Sequence, residues 1–435
     1  MAEQVTAAEA ARRLGVKPAT LYAYVSRGVL TRRKDPATRT SRYDAGEVED
    51  LARRGRPRRR ANAADIVVES ALTEIDGAQF RYRGLDVAGL ATRRPFEDVA
   101  EWLWAGAFPA APARWRARPE ALAAGRAAQA ALPAGALPLE RLQVIVPAMA
   151  ATDPLRLQLD QPAVQAAAQG LIAGLVDCLP SPALPPAEGA PSPGAAPPGA
   201  APSPGAAPPG AAPATPPAPI AERLWSRLSA HRPAPALLGA LSAALVLLAD
   251  HELAASTLAA RVAASVRADP YAVVATGLGA VSGALHGGAS LGAETLLDSA
   301  ATPDDVPRVI RDLLRRGERV PGFGHFVYRA GDPRAAFLLD LIRAAAPRSR
   351  VFPVADAVQA EVASRGLPQP NIDFPLAVLT RIVGMAAGAG EAIFAVARTA
   401  GWTAHAMEEY ARATPLRPRA VYVGPAPRGS GAQDS

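Results

Sequence analysis

Two of the chain's five histidines stand in glycine-rich turns: His286 in "GALHGGA" and His325 in "PGFGHFVYRAGDPRA". Glycines beside a histidine let the backbone approach a ligand closely and free amide groups to point at it. A third histidine, His251, sits at the polar break after "GALSAALVLLAD". Asp373, in "NIDFP", precedes an apolar run at the predicted entrance to a helix. Around them fall Arg329 and Arg334 in the His325 stretch, Arg398 in "ARTAGW" and Arg417 in "RPRAVYVGP". Each has a plainer reading when taken alone. A histidine among small residues is a packed core group, an aspartate before a helix is an N-cap, and an arginine before proline is surface. Together they describe acid–base groups beside arginines, and arginine grips carboxylates bidentately. That combination fits an anionic, multiply carboxylated substrate.

The elements that must hold these residues are helical. Apolar residues make up 49% of the 435 and aromatics only 5%, so Ala, Leu and Val carry the packing. Ala and Leu lead the helix scale, whereas β-branched and aromatic residues lead the strand scale. The stretch "PAPALLGALSAALVLLADHELAASTLAARVAASV" has long apolar faces with small residues between them, as closely packed helices need. A single cysteine, Cys178, excludes an intramolecular disulfide and a thiolate metal site. No other cluster with metal-ligand spacing is present, so no metal is expected. The longest apolar run is too short to span a bilayer, and the first residues lack a signal-peptide pattern. A soluble, cytoplasmic protein with no membrane contact is the expectation.

The net charge of +7 is concentrated at one end. Residues 1–60 hold 15 Arg and Lys against 7 Asp and Glu, which leaves the remainder near neutral. Within them Thr6 and Glu9 form a capping-box pattern that opens a helix through about Leu14. Pro18 pre-sets a second helix, "PATLYAYVSR", and Gly28 stops it. "VLTRR" and "RTSRYD" around "KDPA" predict a β-hairpin, and Asp44 and Glu47 give an N-cap for "AGEVEDLARR". Two short helices across a glycine turn, followed by a basic wing, build a helix-turn-helix module. These residues resemble MerR-like and excisionase-like winged helix-turn-helix modules. By that resemblance Thr20, Tyr22 and Tyr24 lie on or near the groove-facing helix, and Arg32, Arg33, Arg39 and Arg42 lie near phosphates. The arginines also have the plainer reading of a solvated face used for protein contacts.

Residues 180–218 are Pro, Ala, Gly and Ser almost throughout, and "PSPGAAPPGAA" occurs at 191–201 and again at 202–212. Repeated Pro-Pro and Pro-Gly pairs forbid helix and ladder alike, so the segment reads as a disordered, polyproline-leaning insertion in a surface loop. The helical-period segments "GLIAGLVDCL" and "IAERLWSRL" flank it.

"GALHGGA", "PGFGHFVYRAGDPRA", "NIDFP", "ARTAGW" and "RPRAVYVGP" in this order, with "LTEIDGAQFRYRGLDVAGLA" at 72–91, resemble the citrate synthase family. The likeness covers roughly residues 66–425 apart from the insertion. The join to a helix-turn-helix head resembles a bacterial sub-group of that family. The resemblance implies a mainly α fold of two helical domains after a winged helix-turn-helix domain at 1–60. The large domain would take 65–287 and 384–425, the small domain 288–383, and a disordered tail 426–435. It implies a homodimer or higher homo-oligomer, and no cofactor beyond acetyl-CoA as co-substrate.

By the same resemblance His286 hydrogen-bonds the thioester oxygen of acetyl-CoA while Asp373 removes a methyl proton. His325 protonates the oxaloacetate carbonyl as the enolate attacks, and citryl-CoA is then hydrolysed. His251, Arg334 and Arg398 bind oxaloacetate carboxylates, Arg417 reaches in from the partner subunit, and Arg329 contacts CoA. His405 takes a structural helix position, and His231 a loop. The chain departs from the family pattern at Leu248, at Phe326 and in "DFPLAV". These positions lie near the acyl-CoA or keto-acid pocket, so 2-methylcitrate synthesis from propionyl-CoA is an alternative. A second alternative is a DNA-binding regulator whose synthase-like domain senses a metabolite.

Overall fold

The computed structural model describes residues 4–14, 16, 21, 25, 30–34, 40–54, 68–77, 79–182, 216–284, 286, 288–328, 331–412 and 414–418. The chain divides into two compact units, of which the second is Ser70–Arg419.

In the first unit, strand Gln4–Thr6 leads into helix Ala7–Leu14, and the Glu9 N–H donates to Thr6 Oγ1 at 3.3 Å. Strands Arg32–Lys34 and Ser41–Asp44 pair antiparallel, Arg32 opposite Tyr43 and Arg33 opposite Arg42, with Gln4–Thr6 on the other edge. Helix Ala45–Arg54 follows, and the Glu47 N–H donates to Asp44 Oδ1 at 3.1 Å. Val5, Ala10, Leu14, Leu21, Leu30, Tyr43 and Val48 form the small core. Thr20, Tyr22, Tyr24 and Arg39 lie outside the described residues, as do most of the expected second helix and the Arg33 side chain. Arg32 is exposed and Arg42 half-buried.

Among its described residues the second unit is mainly helical, with one small antiparallel sheet, Thr73–Asp76, Gln79–Tyr82 and Leu85–Asp86. Its centre is the 22-residue helix Ala389–Tyr410, buried at nearly every position. Around it pack Phe96–Ala105, Gln161–Cys178, Pro235–Leu248, Ala255–Ser265 and Pro270–Val281. Close approach depends on small residues. At Gly401 a Cβ would stand 2.4 Å from the Ala249 carbonyl oxygen and 2.5 Å from Asp250 Oδ1. The Gly401 N–H donates to that same carbonyl at 2.9 Å. Further helices at Gly288–Asp298, Val306–Arg315, Pro333–Ala345, Val351–Ser364 and Asp373–Val383 continue the unit. Of the expected insertion, residues 183–215 lie outside the described set, and helices Gln161–Cys178 and Ile220–Leu228 flank it. No described helix is long and apolar enough to cross a membrane.

Candidate active site

Two loops are laced together to form the floor. The Gly324 N–H donates to the Gln369 carbonyl at 2.8 Å, the Asn371 N–H to the Gly322 carbonyl at 2.9 Å, and Asn371 Nδ2 to the Gly324 carbonyl at 2.9 Å. Gly322 has φ +80°, and a Cβ there would lie 3.1 Å from the Phe374 Cβ and 3.2 Å from that of Ala293. Only glycine combines that backbone with that proximity. The lacing joins the loop that leads into His325 to the segment that leads into Asp373.

His325 Nδ1 accepts from the peptide N–H groups of Val327 at 3.0 Å and Tyr328 at 3.3 Å. A ring nitrogen that accepts carries no proton, so the proton of the neutral ring lies on Nε2. Burial, with Arg334 nearby, lowers the His325 pKa to about 4. Its ring meets His251 edge-on at 5.2 Å between centroids. His251 is buried, and its Nε2 lies 3.0 Å from the Tyr328 hydroxyl. Burial, then Arg334 and Arg398, keep His251 well below the usual histidine range.

Arg334 enters from the start of helix Pro333–Ala345 and is held bidentately by Asp332, with Nε to Oδ1 at 3.0 Å and Nη2 to Oδ2 at 2.8 Å. Asp332 Oδ2 also accepts the Ile372 N–H at 3.2 Å, tying this arginine to the segment before Asp373. Arg398 is 1% exposed on the central helix, and its Nε donates to the Leu248 carbonyl at 2.8 Å. Among the described residues its two outer nitrogens have no hydrogen-bond partner. Burial pulls its pKa down to about 10. A buried guanidinium with an open fork is a carboxylate receptor.

Asp373 is the first residue of helix Asp373–Val383 and does not cap it; its Oδ1 accepts a short hydrogen bond from Ser290 Oγ. Burial lifts the carboxyl from 3.8 to about 6, against the opposing pull of Ser290 and Arg334. His286 lies in the turn before helix Gly288–Asp298, half-buried, with Nε2 2.9 Å from the fully buried Ser256 Oγ. Its ring stands edge-on to Phe394 at 5.6 Å, and Phe394 also faces the Arg398 guanidinium at 4.6 Å. Burial and Arg398 lower the His286 pKa to about 4. The His286 and His325 imidazoles are therefore neutral near pH 7, while the Asp373 carboxyl is ionised.

Beneath His251 runs a buried chain of polar contacts. His405 Nε2 lies 3.2 Å from Asp250 Oδ2, and Arg261 donates to His405 Nδ1. Arginine only donates, so the His405 proton lies on Nε2 and points at Asp250. Tyr82 Oη accepts the Asp250 N–H at 3.0 Å.

The structure thus brings His251, His286, His325, Asp373, Arg334 and Arg398 together. Arg417 is exposed in its own chain and Arg329 lies outside the described residues. His231 sits in a bend after helix Ile220–Leu228. Of the departures, Leu248 is fully buried and offers Arg398 its carbonyl, Pro375 is buried within its helix, and Phe326 is 90% exposed. Ser256, Ser290 and Tyr328 also belong to this cluster. Ser256 and Ser290 stand 30 and 83 residues from the partners they touch, so no local spacing marks them, and Tyr328, three residues after His325, reaches His251 across 77. Among the described residues no group of three His, Cys, Asp or Glu could hold a metal.

The family model "Citrate synthase, C-terminal domain" matches residues 63–419. "Citrate synthase 2" of Bacillus subtilis is 36% identical over 209 residues, covering 47% of this chain and 56% of that protein. "Putative citrate synthase 2" of Mycobacterium tuberculosis is 40% identical over 201 residues, covering 45% and 54%. The chain spans about half the length of the curated relatives it matches. The crystal structure of citrate synthase from Thermotoga maritima superposes with a TM-score of 0.64 at 25% identity, covering 84% of this chain and 95% of that one. On the match that runs through most of its length, the chain belongs to the citrate synthase family.

Proposed function

We propose that the protein condenses oxaloacetate with acetyl-CoA and water to give citrate and CoA. The observation that carries this reading is a buried carboxyl near 6, Asp373, and two imidazoles near 4, His286 and His325, all gathered around Arg398 with its open fork. Asp373 takes a proton from the acyl methyl group. With the Ser256 hydroxyl donating to Nε2, the His286 proton lies on Nδ1, the nitrogen left to hydrogen-bond the thioester oxygen as the enolate forms. The enolate carbon attacks the keto carbon of oxaloacetate, and His325 gives its Nε2 proton to the new alkoxide. Water then cleaves the citryl thioester and releases CoA. Arg334, Arg398 and His251 bind the oxo-acid carboxylates. Arg329 contacts CoA, and Arg417 serves the partner subunit's site in a homodimer. Residues 288–383 close over the substrates as a small domain, excluding water from the enolate. The exposed Phe326, where the family pattern is commonly basic, favours testing propionyl-CoA as the second acyl donor.

The test is thiol release by purified protein with oxaloacetate and either acetyl-CoA or propionyl-CoA, beside Asp373→Ala. Turnover lost in the variant is expected. No turnover with either thioester, or turnover that survives the substitution, defeats the mechanism.

The basic hairpin of residues 1–60, with Arg32 and Arg42 on adjoining strands, supports a second role in DNA binding, as a winged helix-turn-helix head. Binding of the full chain to mixed genomic DNA should weaken steeply with salt, because phosphate contacts release counterions. A response flat in salt rejects this role.

A further inference from the structure

We propose that Tyr328 is the positioning residue that holds the two substrate histidines in register, its peptide N–H fixing His325 and its hydroxyl fixing His251. The inference rests on the condensation reading of this site and adds a residue to it. Tyr328 is 5% exposed, on the loop that leaves His325. Its backbone N–H donates to His325 Nδ1 at 3.3 Å, while its hydroxyl lies 3.0 Å from His251 Nε2. Its ring packs against both imidazoles, at 4.8 Å from His325 and 5.4 Å from His251.

The two histidines belong to segments 74 positions apart, His251 after helix Pro235–Leu248 and His325 in the glycine loop. Among the described residues Tyr328 is the only side chain with a hydrogen bond to His251. A neutral imidazole with no partner on one nitrogen is free to change tautomer and to swing about its Cβ–Cγ bond. The phenol clamps it. Burial raises the Tyr328 pKa to about 12, so the hydroxyl keeps its proton throughout the working range of the enzyme.

Tyr328→Phe isolates the claim, because it deletes the bond to His251 and keeps the ring and the peptide N–H that serves His325. In the full chain, KM for oxaloacetate should rise about tenfold, the size of one net hydrogen bond, with kcat and the thioester KM changed less than about threefold. The nitrogen resonances of the His251 ring should shift while those of His325 stay in place. An unchanged oxaloacetate KM, or equal losses in kcat and both KM values, overturns the proposal. So do His251 resonances that match the wild type. If neither thioester turns over in the wild type, the condensation reading has failed, and the ring resonances still decide whether the clamp exists. If Tyr328→Phe does not fold, the wild-type His251 Nε2 resonance serves instead. A hydrogen-bonded shift supports the clamp, and the shift of a free ring nitrogen overturns it.

Discussion

Ser290, in the first turn of helix Gly288–Asp298, donates a short hydrogen bond to Asp373 from 83 residues away, so this carboxyl is held by a neutral hydroxyl and not by a cation. That choice leaves burial to dominate and lifts the carboxyl to about 6. A cation in the same place would have pulled the value down and made a weaker base.

Asp373→Asn keeps the shape and the Ser290 contact but removes the base, so kcat should fall by about 10²–10⁴-fold. Stability should move the other way. The folded carboxyl ionises less readily than the unfolded one, with a pKa of about 6 against 3.8. The cost of holding it is therefore absent below about pH 4, grows up to about pH 6 and is constant above, at roughly 3 kcal/mol at most. The Asn variant should melt above the wild type at about pH 8, and the gap should close as pH falls toward about 4. A gap in Tm that does not depend on pH would contradict this origin.

On the proposed reading, Ser256 reaches the thioester through its contact with His286 Nε2. Ser256→Ala should lower kcat about tenfold while leaving the oxaloacetate KM alone, because only the His286 tautomer loses its support. Residues acting through one another are not additive. The double variant Ser256→Ala, His286→Gln should therefore be no slower than His286→Gln alone. Additive losses would place Ser256 in some other role.

Arg398→Lys keeps the charge and loses the fork. A charge-assisted hydrogen bond contributes about 1.5–3 kcal/mol, so the oxaloacetate KM should rise about 10–100-fold. The thioester KM should be much less affected. Steady-state kinetics with each substrate varied in turn separates the two, and equal effects on both would remove Arg398 from the oxo-acid pocket.

The cluster was readable in the sequence where glycines and rare histidines marked it. "PGFGH" put two glycines, Gly322 and Gly324, directly ahead of His325, and the backbone there takes the positive φ that glycine allows, at +80° and +87°. The helical character followed from an Ala- and Leu-rich composition, and the Thr6 and Asp44 helix starts from side chains that accept their own helix N–H groups. The supports were not readable. Ser256 and Ser290 are common residue types that gain meaning only when tertiary packing brings them to a partner, and Tyr328, though inside the His325 stretch, shows its bond to His251 only in the fold. Asp373 showed the opposite error available to local reasoning: its position suggests a helix cap, yet its carboxylate turns away to Ser290. In the first unit the hairpin was legible from "VLTRR" and "RTSRYD", whereas the expected groove-facing residues Thr20, Tyr22 and Tyr24 lie outside the described residues.

Gly401 ties the packing to the site. It lies one turn beyond Arg398 on the central helix, where its missing side chain admits the Ala249 carbonyl and Asp250. Gly401→Ala forces a Cβ to within 2.4 Å of that carbonyl, so the 249–251 segment must move. Overpacking of this kind costs roughly 1–3 kcal/mol. The displaced segment carries His251, so the oxaloacetate KM should rise along with the loss of stability. Gly279 is the internal control. It too lies within a helix, Pro270–Val281, but an added Cβ there meets nothing within 4 Å. Gly279→Ala should be neutral or stabilise by up to about 1 kcal/mol, from helix propensity alone. Thermal melts and oxaloacetate KM for the two variants decide the matter. If both alanines behave alike, the contact at Gly401 has no hold on His251.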